Sequence, residues 1–504
     1  MKRIKAAAED LFTDKIYLVL IFLLFFLWLP SFFEPISYGD ECIYLTLGQA
    51  FRRGLVFYRD IHDNKPPILY LIAALSFGKL IYLRFYNFLW NFIHLTIIYL
   101  LAKSLTKNKL VILLSLVGFL LLFILFEGRV ANGETFMMMP VTLAAYLLLK
   151  KRIFVNKYIF GLIVGFLFSF GFLVKIPVIF DFFGITLAYF FFPIKKLNTK
   201  NILNILKNKI LLGALAGFSL PILLSIIYYG SKGAFTPYVR SALFQNIGYL
   251  SSWQGSSLGL FFRFFLLIFF CLVVFLKRKE IPAKMMLISV WFLFSLFGAL
   301  LSARPYPHYL IEVVPSLTLL LVAGLGKKSN NYLVIAPLVA IILTIISFGY
   351  YHFWYYPQSK YYKNFFNLVS KKISSEEYLS FWGQRVKDNY SLAQFVQETV
   401  LPQERIFVWG DAACVYATSK RLPPGRFTVN YHIFDFNGYK ETLEAIQKEN
   451  PKIIIKMENE SRQWPELDFL LQSKYVPLKL PEIKLPEIKD QIFLLQEEQA
   501  AVKW

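Results

Sequence analysis

The sequence predicts an all-α polytopic membrane protein followed by a small α/β domain, on three observations. Hydrophobic residues make up 57% of the 504 and aromatics 18%, with a mean hydropathy of +0.52, against about 45–50% apolar residues in an ordinary soluble domain. Apolar runs of roughly 17–25 residues, the length that crosses a hydrocarbon layer of ~30 Å, recur through the first two thirds of the chain. Beyond residue 355 they stop, and a soluble pattern begins.

The first run, 16–33, is too long for a signal-peptide core and is followed by no small-residue cleavage site, so it reads as a retained anchor. Breaks at charge clusters and prolines place further spans near 84–102, 109–126, 135–149, 158–174, 177–193, 210–229, 258–276, 285–302, 309–326 and 332–351, about eleven in all. Alternate junctions collect cations, as at Lys2, Arg3, Lys5 and Lys15, at Lys103, Lys107 and Lys109, and at Lys277, Arg278, Lys279 and Lys284. Outside the first loop, the opposite junctions hold only scattered ones such as Arg129, Lys175 and Arg304. The positive-inside rule then puts the N-terminus in the cytoplasm and the C-terminus outside a cytoplasmic (inner) membrane. The net charge of +22 is accordingly topological: most cations hug anionic lipid, and a nucleic-acid partner is not expected. Cys42, Cys271 and Cys414 are odd in number and far apart, which predicts neither a disulfide framework nor a metal knuckle.

The first outer loop, 34–83, is the longest and most polar break among the spans. Within it Ile43, Leu47, Ala50 and Phe51 form a helical stripe suited to the membrane interface, ending near Gly54. The stretch 66–80 opens with Pro-Pro and reads as a second short helix. The domain division expected is 1–354 for the membrane part and 355–504 for an outer α/β domain. In the latter, 405–409, 426–430, 453–456 and 492–495 read as strands, and 411–419 and 440–449 as helices. A tandem Leu-Pro-Glu-Ile-Lys repeat, 480–484 and 485–489, reads as a loop or edge hairpin.

Four outward features hold chemistry-bearing side chains. Asp40 and Glu41 stand at the head of the interfacial helix, where they serve either as cap and dipole partner or as a general base able to take a proton from an attacking hydroxyl. The run Tyr58-Arg59-Asp60-Ile61-His62-Asp63-Asn64-Lys65-Pro66-Pro67 places Lys65 before a rigid diproline, suited to a phosphate, and Arg52 is a further cation that could meet the same phosphate or lipid headgroups. His62 beside Asp63 is a weak metal signal, so no metal is firmly implied and a divalent ion is left open. The short turn Phe126-Glu127-Gly128-Arg129-Val130-Ala131-Asn132-Gly133-Glu134 carries Glu127 with Arg129, readable as an ion pair, and Glu134, which has no evident local partner and is the better site candidate. Arg304 and His308 flank Tyr306 at another outer junction, where they join either an aromatic belt or a phosphate or acceptor site, while Lys175 before Pro177 could snorkel.

In this order the features resemble the GT-C membrane glycosyltransferases, above all bacterial members of glycosyltransferase family 39 and relatives, the protein O-mannosyltransferases and the aminoarabinose transferase of lipid A. The resemblance rests on Asp40-Glu41 with Tyr44, Lys65-Pro66-Pro67 with Tyr70, the acidic turn at Glu134, and 304–309 before Pro315; Val408-Trp409-Gly410 with Tyr416 and Arg421 resembles the outer domain of bacterial relatives. It implies a polyprenyl-phosphate-linked monosaccharide donor, an inverting displacement with Asp40 as base, and Lys65 near the donor phosphate; no cofactor is expected to be required, with a divalent metal left open. Where relatives often have an aspartate, this chain has Glu134, and the acceptor, a lipid, glycan or protein, stays open. Two other classes compete: a lipid or polysaccharide transporter or flippase, which would place its ionisable groups at mid-membrane, and a non-catalytic glycan-assembly protein.

Overall fold

The computed structural model describes residues 11–150, 156–194, 198–245, 257–326, 331–478 and 488–496. Several of the cationic clusters, among them Lys2, Arg3 and Lys5, and most of the tandem repeat lie outside these residues. The chain divides into two compact units.

The first unit comprises Met1–Phe32, Arg84–Tyr228 and Leu243–Gln358 and is helical. Among the described residues, the helices Lys15–Phe33, Leu80–Leu105, Lys157–Val174, Lys209–Ser231 and Leu258–Leu276 are long and apolar enough to cross a membrane. Shorter apolar helices cover Lys109–Leu125, Val178–Phe191, Ala283–Ala299, Val314–Leu325 and Val334–Tyr350, and Gly133–Lys150 holds the remaining expected span. Only 17% of the helix Leu258–Leu276 is buried, so an apolar surface such as this one is stable only against lipid. Four helices among the described residues open with Lys, at Lys15, Lys109, Lys157 and Lys209, the end where a cation opposes the helix dipole. Each is capped by the residue before it, Asp14, Asn108, Asn156 or Asn208, whose side-chain oxygen accepts a first-turn amide proton. The cap supports the helix, while the lysine answers to the lipid surface.

Small residues set a close helix contact in this unit. Gly161 and Gly165 face Gly213 and Gly217, and a Cβ on any of the four would sit within 2.2 Å of a backbone oxygen of the other helix. Two facing Gly-xxx-Gly pairs let backbones touch where lipid provides no hydrophobic drive to associate.

The second unit comprises Phe33–Leu83, Tyr229–Ala242 and Ser359–Trp504. The first outer loop forms the helices Gly39–Arg52 and Ile68–Leu75, the latter beginning directly after the two prolines. Four strands, β1 (Ile406–Trp409), β2 (Ile453–Lys456), β3 (Tyr475–Pro477) and β4 (Gln491–Leu495), make a sheet of order β1-β2-β4-β3. β1 and β2 are parallel and the other pairs antiparallel. Alternate residues of β1 enter two separate cores: Ile406 and Val408 pack with Leu392, Val396, Tyr416 and Ile455, and Phe407 and Trp409 with Ile446, Ile454, Trp464 and Leu471. Helices therefore cover both faces, which is why β1 and β2 read as continuous apolar runs.

Two expectations are corrected. The segment 426–430 is not a strand; the Arg426 carbonyl instead accepts the His62 amide proton at 2.8 Å, so its backbone is committed to the first loop rather than to a ladder. Cys42 and Cys414, 372 residues apart, form a disulfide. It joins the helix Gly39–Arg52 to the helix Ala413–Ser419, a seam that Gln49 and Arg53 continue by donating to the carbonyls of Ala417 and Lys420.

Candidate functional site

Two ionic clusters contain most of the residues singled out in the sequence, one in each unit. In the second unit, Tyr58 adopts a left-handed backbone conformation (φ 71°) and turns the chain so that its hydroxyl donates to the Lys65 carbonyl at 2.8 Å. The Tyr70 hydroxyl accepts the Lys65 amide proton at 2.9 Å and donates to Asp63 at 2.8 Å. Burial and the adjacent Asp63 carboxylate push the Tyr70 phenol well above its ordinary value, so it stays a donor. Thus two tyrosines and a diproline hold the Lys65 backbone. Its ammonium lies 3.6 Å from Asp40 and 3.6 Å from Asp63, and 5.1 Å from the Tyr44 ring centroid.

Asp40 is not the cap of its helix. The helix begins at Gly39 with Tyr38 in the cap position, and Asp40 accepts a hydrogen bond from the Tyr44 hydroxyl at 3.0 Å. Its side chain is 28% exposed, whereas Glu41 and Asp63 are buried. Arg52 occupies the last turn of the same helix, twelve residues on, about 18 Å along the axis; its guanidinium covers Phe77 at 4.0 Å. His62 is buried against Phe436, with Nδ1 3.3 Å from the Ser241 hydroxyl.

Sequence reasoning missed His432. It is buried, with Nε2 3.4 Å from Asp63 and its ring nearly perpendicular to His62. Burial pushes His432 down to about 4, and burial, His432, Arg426 and Arg240 push His62 down as well. Both rings are therefore neutral at pH 7. Nothing in its local sequence, Asn-Tyr-His-Ile-Phe-Asp, distinguishes His432.

In the first unit Glu134, which has no evident local partner in the sequence, forms a direct ion pair with Lys175, 41 residues away. Lys175 also covers the Tyr309 ring at 4.4 Å, so it is engaged rather than snorkelling. His308 Nδ1 meets Glu127 at 2.8 Å, and its Nε2 lies 4.0 Å from Glu134. Arg129 donates to Gln358 at 2.9 Å. Arg304 precedes this group and is half-buried. Glu134, Lys175, Tyr309 and Glu312 line a cavity of about 220 Å3. Nearby in sequence to neither motif, Asp181 is buried and accepts hydrogen bonds from Trp291 and Ser295, both at 2.7 Å. Asp181 and Glu312 were legible as lone acids within apolar runs. No group of three His, Cys, Asp or Glu is gathered as for a metal ion among the described residues.

No protein-family model matches the chain, and no curated protein matches it. Among solved structures it is similar to ArnT from Cupriavidus metallidurans bound to undecaprenyl phosphate, with a TM-score of 0.59 and 11% identity over 94% of this chain and 97% of that one. The apo state of the same ArnT gives a TM-score of 0.55 with the same identity and coverage. At this identity the likeness establishes the fold, that of the GT-C membrane glycosyltransferases.

Proposed function

We propose that this chain, with its ArnT-like GT-C fold, transfers a monosaccharide from a polyprenyl-phosphate carrier to a hydroxyl of an acceptor outside the cytoplasm. The observation that carries the reading is the pair Asp40 and Lys65: a half-exposed carboxylate not spent on capping, beside a cation held by its backbone. The acceptor oxygen attacks the anomeric carbon and gives its proton to Asp40. The bond from that carbon to the phosphate oxygen breaks with inversion, and polyprenyl phosphate leaves with its charge met by Lys65. Asp40 takes the role rather than Glu41 because an acceptor can reach it. Arg52, at the far end of its helix, is left to lipid headgroups. Glu134, Lys175 and His308 form an ionic cluster that supports their own unit. Since ArnT was crystallised with undecaprenyl phosphate, an undecaprenyl carrier is the first donor to try.

The Cys42–Cys414 disulfide supports an exported location for the second unit, because such bonds persist in oxidising compartments. We propose that Lys65 suffices without a resident metal, so turnover should survive a chelator. Purified protein given a polyprenyl-phosphate sugar and a membrane extract as acceptor should release polyprenyl phosphate. No release above a control lacking the protein would reject the reading in favour of a binding or transport protein.

A further inference from the structure

The second unit contains a crevice that the proposed reaction does not use. β1 and β2 run parallel, and the chain leaves their carboxyl ends through Gly410-Asp411 and through 457–462. Open α/β sheets bind ligands outside the carboxyl ends of such strands. Gly410 lets the two exits approach, since a Cβ there would lie 2.1 Å from the Met457 side chain. Between them opens a cavity of about 430 Å3, lined among others by Ser37, Gly39, Arg385, Asn389, Asp411 and Arg462; a small-molecule site typically has about 300–1,000 Å3.

Its polar groups select the ligand. Both guanidiniums are already matched by carboxylates: Arg385 meets Asp490 at 2.6 Å, and Arg462 meets Glu460 at 2.8 Å and Asp411 at 3.5 Å. An anion would have to displace these carboxylates, and an apolar group would strip water from them. Asn389 lines the crevice at 6% exposure, and its Oδ1 accepts no hydrogen bond among the described residues, an acceptor that a water or a ligand hydroxyl would satisfy. Amides, hydroxyls and guanidiniums already paired with carboxylates together suit a neutral polyol, whose hydroxyls each donate and accept. Gly39 lines the crevice and Asp40 is the next residue.

We propose that this crevice binds a neutral sugar unit of the acceptor and so presents a nearby hydroxyl to Asp40. The proposal rests on the transferase reading for its purpose, and on the crevice alone for its binding. Full-length protein in nanodiscs would be titrated with glucose, galactose, mannose and their N-acetylamino forms, and with trisaccharides of each, followed by saturation-transfer NMR. At least one should saturate with a dissociation constant on the order of 1 mM. Asn389→Leu and Arg462→Ala should weaken it by about tenfold, while binding of undecaprenyl phosphate stays unchanged. If Asn389→Leu does not fold, Asn459→Ala on the exposed rim replaces it. Absence of saturable binding by every sugar at roughly ten times that concentration overturns the proposal, as does undiminished affinity in the variants. Should Asp40→Asn retain turnover, the base assignment falls while sugar binding stands, so the two failures are distinct.

Discussion

The two ionic clusters use the same charges in opposite ways. Lys65 and Asp40 stand 3.6 Å apart, beyond hydrogen-bond range, with Asp40 28% exposed. Lys175 and Glu134 are in direct contact, and the Glu134 side chain is only 3% exposed. The first pair comes from one loop and, being longer and more open on the Asp40 side, is the weaker contact. The second joins two consecutive helices around a carboxylate almost closed to solvent, so removing either member strands the other. Accessibility, more than charge or position in the sequence, is what distinguishes the two acids and what assigns Asp40 the base in the proposed reaction.

Asp40→Asn gives the largest effect this contrast allows. Asparagine keeps the shape and still accepts from Tyr44 but takes no proton, so turnover should fall by about 10²–10⁴-fold with melting temperature and donor binding unchanged. Glu134→Gln should do the reverse, lowering stability by about 3 kcal/mol as Lys175 loses its carboxylate, with turnover per folded molecule little changed. Asp40→Asn within a few-fold of wild type, alongside a folded but inactive Glu134→Gln, would exchange the two roles.

Acid provides a comparable effect confined to the second unit. His432 has a folded value of about 4 against an ordinary 6.5, and His62 is lowered too. The unfolded chain binds protons there that the folded chain refuses. The stabilisation is thus complete above about pH 6.5 and lost as pH falls towards 4, about 3 kcal/mol for His432 alone. Thermal melts between those values should show the loss, and His432→Gln should flatten it. A variant that melts with the same pH slope as wild type would remove His432 as the cause.

Local pattern carried the fold further than the site. Each expected span falls on a helix, the stripe at Ile43, Leu47 and Ala50 lies on Gly39–Arg52, and 453–456 is β2, because periodicity and apolar length are properties of neighbouring residues. What failed was pairing across the chain. Cys42 finds Cys414, Glu134 finds Lys175, and His432 reaches Asp63 only through tertiary folding. The misread strand at 426–430 has suitable side chains, but the Arg426 carbonyl at its start is taken by the His62 amide, a competition invisible in composition.

The smallest predicted change sharpens the comparison most, because it asks whether Lys65 serves a ligand or its own carboxylates. Lys65→Met should lower undecaprenyl phosphate affinity by about tenfold, the low end for a hydrogen bond to a charged group, since the side chain is partly open to water. The same change leaves buried Asp63 without its cation, although Tyr70 still donates to it, so a loss of binding alone would be ambiguous. Lys65→Arg resolves this: it preserves the charge beside Asp63 but presents a planar fork in place of a compact ammonium. If Lys65 binds phosphate, the arginine variant should melt like wild type and recover part of the affinity. Equal affinity in wild type and folded Lys65→Met would assign Lys65 to holding Asp40 and Asp63, making the first cluster structural like the second.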